Sequence, residues 1–115
     1  MASSVEERQY AYAQRALIAL GDELKNRDVP VAFVVAEDGR PCLEVADVNS
    51  RVRRVFVHAG FCWFYWGDQG DERVTCLRLA AAVERIAQAA QDGWHDGEQG
   101  ELCFNLHQIA EAYRL

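Results

Sequence analysis

Histidine, lysine and serine are scarce in this 115-residue chain, and each scarcity removes a class of chemistry. The histidines are His58, His95 and His107, without an HxH or HExxH pattern, so no motif-built metal centre is expected. Serine occurs only at Ser3, Ser4 and Ser50, none in a GxSxG elbow. No glycine-rich phosphate cradle or dinucleotide fingerprint is present, and no cofactor is expected. The cysteines Cys42, Cys62, Cys76 and Cys103 form no CxxC pair, and each sits in an apolar run where a thiol acts as a small hydrophobe.

Lys25 is the one lysine among 12 basic residues, which face 18 acidic ones for a net charge of −6. That balance argues against a nucleic-acid partner, since such proteins neutralise phosphates with a basic stripe. The one basic knot is Arg51, Arg53 and Arg54. No apolar run is long enough to cross a membrane. The chain also opens without a charged n-region and apolar stretch, so a cytoplasmic protein with reduced thiols is expected.

What is present fits a single α+β domain over residues 1–115: half the chain is apolar and about a quarter charged. Residues 4–26 read as a long N-terminal helix, opened by a Ser4–Glu7 capping box, with Tyr10, Ala13, Leu17, Leu20 and Leu24 along one face. An antiparallel meander of four to five strands follows, at 31–36, 42–46, 52–58, 61–66 and, shortest, 73–76. Asp38-Gly39 and Ala59-Gly60 mark its turns. Two C-terminal helices complete the chain, one from Leu77 with Leu79, Ala82, Val83, Ile86 and Ala90 on one face, the other from Leu102 to the end.

Strand alternation sorts the side chains of the third and fourth strands into two faces. A two-residue Ala59-Gly60 turn sets Phe56 opposite Trp63 and Val57 opposite Cys62. Val55, Val57, Cys62 and Phe64 then lie under the helices, while Arg54, Phe56, His58, Phe61, Trp63 and Tyr65 look outward. In the first hairpin, Val34 faces Leu43 and Ala32 faces Val45 as core pairs, with Phe33 and Glu44 outside. So large an aromatic face needs a cover. The C-terminal helix, a second copy of the chain (face to face or by an edge strand), or a ligand or protein partner can supply it.

Residues that suggest catalysis or metal binding have plainer readings. His58 and Cys62 fall on opposite faces, which separates base from thiol and leaves Cys62 for the core. The loop DGWHDGEQGE at 92–101 resembles half a calcium loop, but Trp94 occupies the third position and Cys103 the twelfth. Asp68, Asp71 and Glu72 read as solvated loop charges beside Trp66.

Residues 61–90, with WFYWGD at 63–68 and LRLAAAVERIAQAA at 77–90, resemble small proteins of high-G+C bacteria. Those proteins carry a Trp-rich hairpin ending in Trp-Gly before an Ala-rich helix. The resemblance brings no activity with it. In architecture and acidity the chain is also similar to dimeric secretion chaperones, a likeness of fold level. The expectation is a non-enzymatic binding or accessory protein, homodimeric, taking a protein partner or small apolar ligand on Arg54, Phe56, His58, Trp63 and Tyr65. The alternative is a small enzyme with His58 as acid or base, which needs a carboxylate such as Glu44 to converge on it.

Overall fold

The computed structural model describes residues 5–67 and 72–95. Helix α1 (Val5–Asn26) leads into strands β1 (Val31–Val35), β2 (Pro41–Ala46), β3 (Val52–His58), β4 (Trp63–Tyr65) and β5 (Arg73–Thr75), followed by helix α2 (Leu79–Asp92). The strands form one antiparallel sheet in the order β1-β2-β3-β4-β5, a meander as expected from the turn spacing. Ser4 and the second C-terminal helix fall outside the described residues. No described helix is long and apolar enough to cross a membrane.

Both helices lie on one face of the sheet because their apolar stripes have nowhere else to go. From α1, Ala13, Leu17, Leu20, Gly21 and Leu24 are buried. From α2, the buried residues are Ala82, Val83, Ile86 and Ala90. They meet Leu43, Val45, Val55, Phe64 and Trp66 in one core cluster. Each fully buried leucine there contributes roughly 1.5–3 kcal/mol. Tyr10 continues the α1 stripe but is 39% exposed.

Two registers differ from the sequence-based expectation. β1 pairs Phe33 with Leu43 and Val34 with Cys42, one residue away from Val34 with Leu43. The cause is the turn. Ala36 N–H donates to Arg40 O at 2.8 Å, leaving three residues at the tip with Gly39 at φ +88°. A three-residue tip with a left-handed last residue shifts a hairpin by one. At the next turn, His58 pairs with Trp63 and Phe56 with Tyr65. The turn takes four residues instead of two, which displaces partners by two and leaves the paired side chains of β3 and β4 on their expected faces.

The same alternation turns Arg53 inward beside Val55, to 3% exposure. A buried guanidinium is costly unless it is paired and its donors are satisfied. Glu72, itself 4% exposed, pairs with Arg53 Nη1. The carbonyls of Trp66 and His95 accept from Nη1 at 3.4 Å and from Nη2 at 2.6 Å. Glu72 is therefore a core residue and not a solvated loop charge. Gly67 makes room for it: a Cβ there would lie 2.3 Å from the Glu72 carboxyl. The basic knot is thus dispersed, because Arg54 points to the opposite face and Arg51 joins a separate network.

That network closes the β2–β3 turn onto the end of α2. The Asp47 carboxylate accepts from the amides of Asn49, Arg51 and Trp94 at 2.8–2.9 Å and from Arg51 Nε at 3.2 Å. Trp94 Nε1 donates to Arg51 O at 2.9 Å, and Val48 N–H to Ala90 O at 2.9 Å. Burial alone raises the Asp47 pKa, but these donors outweigh it and hold it below the ordinary carboxylate range. The clasp is whole above that range and weakens as pH falls through the lowered pKa.

Replacing Glu72 by Gln removes the charge that meets Arg53 and should cost roughly 3–5 kcal/mol of unfolding free energy. The double variant Arg53→Met, Glu72→Leu should recover most of that loss in a urea titration. Equal destabilisation of the double variant would show that the pair contributes more than mutual neutralisation.

Candidate functional site

Alternation along β3 and β4 sends Arg54, Phe56, His58, Trp63 and Tyr65 to the face away from the helices, as expected. Their accessibility divides them. Phe56 is 1% and Tyr65 5% exposed, and they form a second small core with Ala36 and Cys42, apart from the helix-facing one. Their rings stack at 5.9 Å. Arg40, from the end of the first hairpin, lies 4.2 Å over the Phe56 ring and donates from Nη1 to Tyr65 Oη at 3.1 Å. Its Nε binds Asp38 Oδ2 at 2.7 Å, which fixes the guanidinium over the ring. Burial raises the Tyr65 pKa, against the opposing pull of Arg40. These two rings are structural.

Arg54 spends its charge on the same face. Its Nε is 3.4 Å from Glu44 Oε2 and its Nη1 is 3.4 Å from Glu37 Oε2. Glu44, the carboxylate that an enzymatic reading would bring to His58, is held by Arg54 instead.

The remaining aromatics gather at the β3–β4 turn. Phe61 is 49% exposed and stacks on Trp63 with centroids 5.1 Å apart and planes 23° from parallel. The His58 ring tilts against Phe61 at 5.0 Å and Trp63 at 6.5 Å. Arg73 of β5 covers Trp63, its Cζ 4.5 Å from the centroid. His58 Nδ1 accepts the Phe61 N–H at 3.2 Å, so the unprotonated imidazole closes the turn. Burial lowers the His58 pKa. Next to this cluster, between the two hairpin tips and the first turns of α1, is a cleft of 610 Å³ lined in part by Tyr10, Arg40, His58 and Tyr65.

Cys62 departs from the expected core position. It sits in the turn at φ +54°, half-buried, with Sγ 3.6 Å from Ala59 O. His58 Nδ1, for its part, is engaged with the Phe61 amide. Phe61 is on the outward face as expected but was not among the expected site residues, and Arg40, Arg73 and Tyr10 were missed because each comes from a separate element and none shares a motif with the hairpin. Among the described residues, no three His, Cys, Asp or Glu side chains gather as a metal site.

Compared with family models, curated proteins and solved structures, the chain matches none of them.

The His58 shift has a definite sign for stability. The unfolded chain takes up a proton near its ordinary pKa of about 6.5, while the folded chain resists it. Stability is whole above that pH and declines as pH falls toward the lowered folded pKa. His58→Gln keeps an acceptor for the Phe61 amide and should flatten the urea midpoint across this range. An unchanged slope in the variant would assign the decline to other groups.

Proposed function

We propose that this chain is a non-enzymatic binding protein that takes an apolar or aromatic group of a partner onto the Phe61–His58–Trp63 cluster and the adjoining cleft. The observation that carries the reading is Phe61: a large ring with half its surface in water, held flat on Trp63 by its neighbours. A ring already fixed in position loses little entropy on contact, which is what a recognition anchor requires. His58 and Arg40 line the cleft beside it and supply polar contacts.

The reading includes self-association through β1, one of the two edge strands of the sheet among the described residues. Its sequence, VAFVV, has no charge, and Phe33 and Val35 are 37% and 53% exposed. Pro30 O and Ala36 N–H bond toward β2, so Val31, Phe33 and Val35 turn their N–H and C=O groups to the open edge. A second copy, antiparallel and centred on Phe33, would pair Phe33 with Phe33 and Val31 with Val35. This is the isologous contact that two-fold dimers use. Uncharged edges of this kind ordinarily find a partner strand.

Sedimentation velocity with a fluorescence titration tests both halves. The wild-type chain should sediment at twice 13.0 kDa, and Val35→Lys at 13.0 kDa with its helical signal intact. Phe61→Ala should remain dimeric and lose the enhancement of anilinonaphthalene sulfonate fluorescence given by the wild type. A wild-type monomer at every concentration would overturn the self-pairing, and dye binding indifferent to Phe61→Ala would overturn the site.

A further inference from the structure

The turn that presents Phe61 also brings two thiols together. Cys62 and Cys76 are 14 positions apart in sequence and share no motif. Yet the β4–β5 ladder ends with Trp63 opposite Thr75, and Cys62 and Cys76 are the residues that flank this last pair. Cys76 N–H donates to Cys62 O at 2.7 Å. The Cys62 N–H turns instead to Ala59 O at 3.3 Å, under the left-handed φ of that residue. Residues that face each other across antiparallel strands stand roughly 4.5–5.5 Å apart at Cα, inside the roughly 4.4–6.8 Å that a disulfide spans, and the Cys76–Cys62 backbone bond holds these two at the end of such a ladder. The Tyr12 hydroxyl of α1 lies 3.1 Å from Cys76 Sγ, and the Cys62 thiol interacts with both groups, so the two sulfurs meet beneath α1. Both cysteines are free and half-buried, whereas Cys42 is fully buried in the outer cluster.

We propose that Cys62 and Cys76 are a redox pair that closes to an intramolecular disulfide when the protein meets a hydroperoxide. The Cys62 thiolate attacks the peroxide: an S–O bond forms, the O–O bond breaks, and the leaving oxygen departs as water or alcohol with the thiol proton. The Cys76 sulfur then attacks the Cys62 sulfenic sulfur, an S–S bond forms, the S–O bond breaks, and hydroxide leaves as water with the Cys76 proton. Two thiols are oxidised by two electrons and one peroxide is reduced; a dithiol reverses the change by exchange.

The order of attack follows from the surroundings. The Cys76 thiol is engaged by the Tyr12 hydroxyl, and burial pushes its pKa up. The Tyr12 hydroxyl is raised in turn, first by its hydrogen bond with Cys76 and then by burial. Cys76 is thus the resolving sulfur and Cys62, at the turn, the attacking one. The bond would tie the β3–β4 turn to the segment entering α2. The inference is independent of what Phe61 binds.

The test is peroxide treatment of the full native chain, followed by alkylation and non-reducing peptide mapping. The expected result is loss of two hydrogens from the intact monomer and a Cys62–Cys76 linked peptide that dithiothreitol releases. In Cys76→Ser, peroxide should leave a sulfenic acid at Cys62 that dimedone traps; in Cys62→Ser, no adduct should form at Cys76. Full alkylation of both thiols after peroxide would overturn the proposal. So would linkage of either to Cys42, Cys103 or a second chain, or dimedone labelling of Cys76 in Cys62→Ser. The wild-type map decides the question even if a serine variant fails to fold.

Discussion

Arg53 sits on the helix-facing side of β3 because Val55 does, and a guanidinium buried to 3% exposure has to be neutralised within the protein. Glu72 supplies the charge, and the backbones of Trp66 and His95 accept further hydrogen bonds. These partners come from the β4–β5 connection and from the end of α2, so one buried cation fixes two segments against β3. Gly67 follows Trp66 for the same reason, since a side chain there would occupy the space of the Glu72 carboxyl. With Arg53 inward, strand alternation leaves Arg54, Phe56 and His58 outward.

The outer face then resolves into two parts with different roles. Phe56 and Tyr65 are held under Arg40 and serve the fold; Phe61, His58 and Trp63 cluster at the turn, where half of Phe61 meets water. A site placed at a hairpin turn and backed by an ordered sheet is typical of how recognition is arranged on small domains. The protonation of His58 and the oxidation state of Cys62 both bear on this turn, one through the Phe61 amide and the other through the residue that follows Phe61.

The sequence made the helices legible through three-and-four spacing, and Leu17, Leu20, Leu24, Val83 and Ile86 are buried where that spacing puts them. The faces of β3 and β4 were legible too, because the four-residue turn moved partners by an even number. β1 was misplaced by one because the Glu37-Asp38-Gly39 tip has an odd count, which Asp38-Gly39 alone does not reveal. Burial was the least readable property. Tyr65 looked like a surface anchor until Arg40, 25 residues earlier, closed over it. Glu72 looked solvated because its partner Arg53 is 19 residues away, and Cys62 met Cys76 only through a register that no motif announces.

Strand parity is the claim on which the core, the outer cluster and the thiol pair all rest, and side-chain nuclear Overhauser contacts measure it directly. The account predicts contacts from the Phe56 and Tyr65 rings to Arg40, from Val55 methyls to the α1 leucines, and from Tyr12 to Cys76. Contacts from the Phe56 and Tyr65 rings to the methyls of Leu17 and Leu20 would contradict it.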